Sequence, residues 1–265
     1  MDENQMRAVD EGTPDVSIVV PVYNEDQMIE GVLRMILGVN FGDHSREVVV
    51  VNDGSSDRTR EVLKKFHSTR NLRIIHRKVN GGKGAAVRDG ISVAAGKVII
   101  IQDADGEYDP NQIPMLAKPI LEGKTKAVYG SRFKGVIRNM SLTRRLANRF
   151  LTSYLNLLFS SRITDACTCY KALEGDAIRG FALKSNGFEV CHEITANTLR
   201  RGHEIKELPI SYCARSVDEG VKSSWKDFIK QLRWILIFRF SRLSKTEGSR
   251  TVSGCQETLD SSGSD

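Results

Sequence analysis

No stretch of this 265-residue sequence approaches the ~18 consecutive apolar residues of a membrane-spanning helix. The longest uncharged candidate, Phe150 to Ser161, is shorter and carries Thr152, Ser153, Asn156 and Ser160, so the chain is not expected to span a bilayer on its own. Met1 to Pro14 is acidic and polar and lacks the apolar centre of a secretory leader. Cysteine is scarce. Cys167, Cys169, Cys191, Cys213 and Cys255 make an odd set with no disulfide spacing, which points to reduced thiols in a cytosol-like compartment. Cys167 and Cys169 form C-x-C rather than the C-x-x-C of zinc or redox sites, and no second pair at zinc spacing accompanies Cys191 and His192; buried, inert thiols are expected. Internal repeats are missing, as is a G-x-G-x-x-G after the first strand, which disfavours a dinucleotide oxidoreductase. No recognised nucleic-acid motif is present either, and no nucleic-acid partner is expected.

What is present describes a globular α/β protein, 40% hydrophobic and 27% charged. Its formal net charge of +6 favours anionic partners, but nucleic acid, anionic lipid and phosphorylated small molecules all satisfy that sign. From Val16 onward short apolar runs alternate with helical periods. Strands are predicted at Val16–Val20, Glu47–Val51, Leu72–His76, Lys97–Ile101 and Ala127–Ser131. Helices are predicted at Glu25–Leu37, from the Asp53–Asp57 turn through Phe66, from Gly84 to about Ala95, and at Asn111–Leu121. This alternation is the pattern of a mostly parallel central sheet with helices on both faces. The second half differs, with a basic segment from Arg132 to Arg149, a helix over Asn148–Phe159 and a loop through Asp165–Lys171. Helix Glu189–Arg201, strand His203–Ile210, a loop to Ser224 and a helix from Trp225 to about Arg242 complete it.

In an open parallel sheet, ligands bind beyond the carboxyl ends of the strands. Polar residues follow those ends in three places: Pro21-Val-Tyr-Asn-Glu25, Asn52-Asp53-Gly54 and Asp103-Ala-Asp105. One such cluster is an ordinary turn; three on the same edge imply a single acidic cleft. Asp103 and Asp105 flank one residue after a strand of four apolar residues, where two carboxylates repel and call for a cation. Hard oxygen donors suit Mg²⁺ or Mn²⁺, which keep waters and take substrate phosphates as further ligands. Glu107 could supply a third oxygen, directly or through water. The alternative, a solvated acidic turn before Pro110, is weakened by the two neighbouring clusters. Asp53 can accept hydrogen bonds from a ribose or a base, or else cap the next helix, for which Ser55, Ser56 or Asp57 would also serve. Asn80-Gly-Gly-Lys-Gly84 lacks the spacing of a Walker A loop. A glycine turn into a helix accounts for it, with Lys83 beside a diphosphate as the lesser alternative.

Pro21-Val-Tyr-Asn-Glu25, Val51-Asn-Asp-Gly-Ser-Ser-Asp57, Asn80-Gly-Gly-Lys-Gly84 and Asp103-Ala-Asp105 occur in the order and spacing of family 2 glycosyltransferases. Tyr129-Gly-Ser-Arg132 and Thr164-Asp165-x-x-Thr168-x-Tyr170-Lys171 resemble the dolichyl- and polyprenyl-phosphate mannose synthase and glucosyltransferase branch, a likeness that covers about Val16 to Phe240. The resemblance implies a GT-A fold, Rossmann-like, and an inverting, metal-dependent transfer of a hexose from a UDP- or GDP-sugar to a lipid phosphate. It implies that Pro21, Tyr23, Glu25, Val51 and Asp53 hold the nucleoside, that Asp103, Asp105 and Glu107 surround Mg²⁺ or Mn²⁺, and that Ala104 lies against the donor. Arg132 should meet the donor or the lipid phosphate, while Arg215 and Lys222 fall in the loop that closes over the diphosphate. Two positions depart from the family pattern: Glu107 stands where relatives often have Gln, and Lys222 follows Arg215 one place later than in the mannose synthases, where Val221 falls. A polyprenyl phosphate is already anionic at neutral pH, so its attack needs no base; Asp165 and Glu193 either orient the sugar or are structural. The expected organisation is a disordered 1–14, one glycosyltransferase domain over 15–243 and a disordered tail, 244–265. Within the domain, a nucleotide and metal half covers about 15–131 and an acceptor half about 132–243.

The basic segment precedes a helical stripe of Phe150, Leu151, Tyr154, Leu155, Leu158 and Phe159. Phe228, Leu232, Trp234, Ile235 and Phe238 form a second stripe among Lys226, Lys230, Arg233, Arg239 and Arg242. Such helices either lie on an anionic membrane surface or pack on the core. With a lipid acceptor implied, peripheral contact with the cytoplasmic face of a membrane is expected. Two other functions remain open: a family 2 enzyme acting on a glycan, with Asp165 or Glu193 as general base, and a basic nucleic-acid-binding protein.

Overall fold

The computed structural model describes residues 12–215 and 225–241, with side chains from Phe228 onward in the second stretch. The ends expected to be disordered fall outside the described residues except for 12–14, and Lys222 also lies outside them. Seven strands form one sheet in the order β3–β2–β1–β4–β6–β5–β7. β1 (Val16–Val22) is parallel to both β2 (Arg46–Asn52) and β4 (Val98–Ile101), and β2 is parallel to β3 (Leu72–His76). β5 (Ala127–Arg138) is parallel to β7 (Ile205–Cys213), with a register shift between Ser131 and Val136. β6 (Lys171–Glu174) alone runs antiparallel, wedged between β4 and β5.

Continuous Val/Ile strands form because both faces of the sheet are covered, and alternate side chains divide between two cores. Ile18, Val20, Val48, Val50 and Ile100 point into one. There they meet Ile29, Leu33 and Ile36 of α1 (Ile29–Gly38) and Ile113, Leu116 and Ala117 of α4 (Ile113–Leu121). Val19, Val49, Ile99 and Ile101 point the other way, against α3 (Lys83–Val93), α6 (Gly175–Arg179) and α7 (Val190–Arg200). The short α2 (Thr59–Lys64) packs Leu63 into the first core. A third cluster joins α5 (Leu142–Phe159) to α8 (Trp225–Phe240) through Leu151, Leu155 and Ile235.

The main departures from the sequence reading have local causes. α1 starts at Ile29 rather than Glu25, because residues 25–28 form a turn that presents Glu25 at the sheet edge. α5 starts six residues before the predicted Asn148, capped by Ser141, whose hydroxyl accepts from Arg144 N (3.3 Å). Its first turns leave Leu142 and Leu146 exposed at 69% and 58%, so their apolar face is turned outward and takes no part in the core. β6 begins where the expected loop ended, at Lys171, and was given no element; four residues with charged ends carry no readable period. β5 runs through the expected boundary at 131/132, and β6 and β7 from the second half complete the sheet, so both halves share one framework.

The turn into α3 is packed backbone to backbone. Gly82 has a φ of +90°, and a Cβ on Gly84 would lie 2.3 Å from Ser185 O. Gly84 N donates to Asn186 O (2.7 Å), which ties this turn to the 185–187 loop. Gly84→Ala is therefore expected to lower stability by more than about 1 kcal/mol. Gly31→Ala, in α1 with nothing within 4 Å of the added carbon, should be neutral or stabilising by roughly 0.5–1 kcal/mol. Denaturant unfolding of both variants measures the difference.

Candidate active site

The carboxyl ends of β1, β2 and β4 open into a cavity of about 960 Å³ that reaches α5, α7 and α8. Pro21, Tyr23 and Glu25 enter it from the end of β1, Asp53 from β2, and Asp103, Ala104, Asp105 and Glu107 from beyond β4. Arg132 arrives on β5, and Arg215 from just after β7. Among the described residues expected to hold the donor or carry the chemistry, Val51 and Asp165 are absent from the lining. Val51 is fully buried in the core against α3, where its alternation along β2 must put it. Asp165 is fully buried behind Arg132.

Asp53, Glu25, Asp103 and Glu107 are each held by donors from other parts of the chain. Asp53 accepts from Arg77 Nη1 (2.6 Å), Gly81 N (3.0 Å) and Gly82 N (2.7 Å). It clamps the glycine turn, and a ribose or base donor would have to share it. Glu25 forms a two-pronged pair with Arg215, at 3.0 and 3.1 Å. Asp103 Oδ1 accepts from Lys83 Nζ at 2.6 Å, and the same ammonium reaches Cys169 Sγ at 2.9 Å. Burial opposes the Lys83 charge, but Asp103 and the neighbouring thiols outweigh it and hold the ammonium well above its ordinary pKa. Glu107 takes the Tyr212 hydroxyl and Arg215 N (3.0 Å), and Arg144 Nη1 lies 3.8 Å away.

Asp105 is the strained member. Its Oδ1 accepts from Glu107 N (3.1 Å), and Arg215 Nη2 is 3.6 Å from Oδ2. Burial, then the charges of Asp103 and Glu107, push its pKa up to about 7. A carboxylate raised by its acidic neighbours is what a bound cation relieves. Among the described residues, no group of three or more His, Cys, Asp or Glu converges as a metal cage. Glu107 is not gathered with the two aspartates, because its oxygens are directed to Tyr212 and Arg215 N. The donor set still fits Mg²⁺ or Mn²⁺, since such ions are commonly held by one or two carboxylates with substrate phosphates and water completing the shell.

Arg132 is fixed by three bonds to one carboxylate. Its Nε and Nη2 donate to the two oxygens of Asp165 (2.7 and 2.8 Å), and its backbone N adds a third bond (3.1 Å). The guanidinium also sits over the Tyr212 ring, 5.0 Å from its centre. Glu193, the other candidate base, is spent on Lys184 N (2.8 Å) and Ser185 N (2.9 Å) and does not line the cavity. His192 does line it; burial lowers its pKa to about 4, so the ring is neutral at pH 7. Sequence reasoning missed Arg77, Tyr212 and the cavity-facing thiols of Cys169 and Cys191. The thiols were expected to be inert packing, yet a mutual hydrogen bond lowers Cys191 to about 6 and raises Cys169. No local pattern marks these residues, since each acquires its role from another strand or helix.

A family profile described as Glycosyl transferase family 2 matches residues 17–180. A dolichol-phosphate mannosyltransferase of Pyrococcus furiosus is 30% identical over 88% of this chain, which spans 64% of that longer protein. An undecaprenyl-phosphate mannosyltransferase of Micrococcus luteus is 26% identical, over 86% of this chain and 97% of its own length. Among solved structures, glucosyl-3-phosphoglycerate synthase of Mycobacterium tuberculosis with Mn²⁺, UDP and phosphoglyceric acid superposes with a TM-score of 0.65. It is 20% identical, over 85% of this chain and 78% of that one.

Asp165→Ala would leave the Arg132 guanidinium buried without its partner. The expected cost is about 3–5 kcal/mol of unfolding free energy, measured by denaturant titration. A base acting directly on substrate would instead be removable with stability intact.

Proposed function

The chain belongs to glycosyl transferase family 2 and is a glycosyltransferase, and from that premise we propose that it moves a hexose from a UDP- or GDP-sugar to a polyprenyl phosphate, with inversion at the anomeric carbon. Its fold is GT-A, the arrangement shared with the Mycobacterium tuberculosis enzyme. The observation that carries the proposal is the convergence in one cavity of Asp103 and Asp105 with the fixed Arg132 and Arg215. Such a site places a cation-binding acidic floor between guanidinium groups able to meet two phosphates.

In this reading Pro21, Tyr23 and Asp53 border the nucleoside, Ala104 lies against the donor, and Val51 stays in the core, paired across the sheet with Pro21. Asp103 and Asp105 hold Mg²⁺ or Mn²⁺, with Glu107 bracing the 213–215 backbone behind them. The metal, when bound, offsets charge developing on the departing nucleoside diphosphate. Arg132 and Arg144 face the part of the cavity toward α5 and would receive the acceptor phosphate. Because Asp165 keeps Arg132 aimed before substrate arrives, little reorganisation is needed at reaction. The acceptor oxygen is already anionic, so no proton must be removed. The withdrawal of Asp165 and Glu193 from the cavity supports this acceptor over a glycan, whose hydroxyl would call on a general base. The mannosyltransferases of Pyrococcus furiosus and Micrococcus luteus, named for dolichol phosphate and undecaprenyl phosphate, support the same class. Membership of the family removes the reading of a basic nucleic-acid-binding protein.

Contact with an anionic membrane surface, at its cytoplasmic face, belongs to this proposal. No helix among the described residues is long and apolar enough to cross a membrane. The stripes expected to touch lipid largely pack on each other, Leu151 and Leu155 against Ile235, Phe228 and Leu232. Phe150 of the first stripe stays exposed, and with Leu142, Leu146 and Leu157, all at 57% exposure or more, it forms an apolar side of α5. Lys134, Arg138 and Arg149 are exposed on the same segment, a combination suited to an anionic interface.

Radiolabel from a panel of UDP- and GDP-sugars should pass into the organic phase with polyprenyl phosphate and Mn²⁺ or Mg²⁺. Asp103→Ala and Asp105→Ala should each lower that transfer by roughly a hundred-fold or more, the scale of losing several kcal/mol of charge stabilisation. Full activity in both would end the metal assignment, and labelling of a saccharide instead of the lipid would replace the acceptor. Leu146→Glu with Phe150→Glu should reduce co-sedimentation with phosphatidylserine vesicles while transfer to a detergent-solubilised acceptor persists.

A further inference from the structure

The lysine of the Asn80–Gly84 turn has no part in the reaction outlined above, yet it lines the same cavity. Lys83 Nζ lies 2.6 Å from Asp103 Oδ1 and 2.9 Å from Cys169 Sγ, and 5.6 Å from the centre of the Phe188 ring. Its side chain is 13% exposed and that of Asp103 12%. The backbone beneath it is pinned, with Gly82 and Gly84 in close approach to Asn186 and Ser185 and both the Gly81 and Gly82 amides on Asp53. Any change in the position of the ammonium must therefore come from its own side-chain torsions.

Charge balance gives this placement a consequence. Asp53 is matched by Arg77 and Glu25 by Arg215, while Asp103 is matched by Lys83. A divalent ion arriving alone would put two further positive charges beside an ammonium already seated on Asp103. Both side chains of the pair are largely buried, so that repulsion is poorly screened. A nucleoside diphosphate arriving with the ion brings compensating negative charge. It also offers phosphate oxygens to which the ammonium can turn, in exchange for the carboxylate it gives up.

We propose that Lys83 is the resting counter-ion of Asp103, an internal cation that holds the metal position closed until a nucleoside diphosphate draws it away. The proposal rests on the metal site assigned to Asp103 and Asp105. Metal and donor binding are then coupled through one side chain, and the coupling is reciprocal by linkage.

Mn²⁺ binding to the full chain, read from the EPR signal of free Mn²⁺ with and without UDP or GDP, tests this without any turnover. In the wild type, Mn²⁺ should bind weakly alone and roughly ten-fold or more tightly with the nucleotide. Lys83→Met should raise nucleotide-free Mn²⁺ affinity by about ten-fold and narrow the gap between the two conditions, whereas Lys83→Arg should keep the wild-type weakness. Equal nucleotide-free affinity in the wild type and Lys83→Met, both folded by circular dichroism, would overturn the proposal and leave the metal site standing. Should Lys83→Met fail to fold, a wild-type Mn²⁺ affinity indifferent to nucleotide would overturn it equally. Absence of Mn²⁺ binding in every protein, with either nucleotide present, would overturn the counter-ion and the metal assignment together.

Discussion

Parallel packing of β1, β2 and β4 delivers Glu25, Asp53, Asp103 and Asp105 to a common edge, and nothing within those strands compensates the charge. The cations that do so come from far along the chain. Arg215 reaches Glu25 across 190 positions, Arg77 reaches Asp53 across 24 and Lys83 reaches Asp103 across 20. Carboxylates gathered in a sheltered site are tolerable only with such partners or with bound cations. Much of the chain's layout follows from that need: the glycine turn that carries Lys83, the return of β7 that carries Arg215, and the seating of Glu107 behind them.

The acceptor side obeys a different rule. There a single guanidinium is immobilised, with Asp165 satisfying Arg132 from behind and Tyr212 covering one face. The same Tyr212 donates to Glu107, so the groups around the proposed metal and those around the proposed acceptor phosphate share a side chain. Residues in one such network do not act independently when substituted. The two ends of the cavity differ in kind: one pairs several carboxylates with separate cations, the other seats a single buried guanidinium on a single carboxylate.

Legibility from sequence tracked locality. The parallel half was readable because Val48–Val51 and Val98–Ile101 are unbroken apolar strands and their polar ends lie adjacent in sequence. Most residues expected at the cleft line it for that reason. Val51 did not, because a residue just before a strand end points into the core or the site according to parity, and its parity is inward. Asp165 was named but given an undecided role; only the three-dimensional pairing with Arg132 assigns it. Arg77, Tyr212 and the first turns of α5 escaped because their partners are remote or their apolar face is outward.

The placement of β6 has a further consequence for how this protein can be cut. Residues 171–174 follow the expected boundary at 131/132 by some forty positions, yet they supply the seam between β4 and β5. A fragment ending near Ser131 would expose the bare hydrogen-bonding edge of β4, an invitation to pair with other chains. The two halves are therefore not modules to be exchanged between relatives. A graft that changes the acceptor side would have to keep Lys171–Glu174 with the nucleotide side, as an internal strand borrowed from later in the chain.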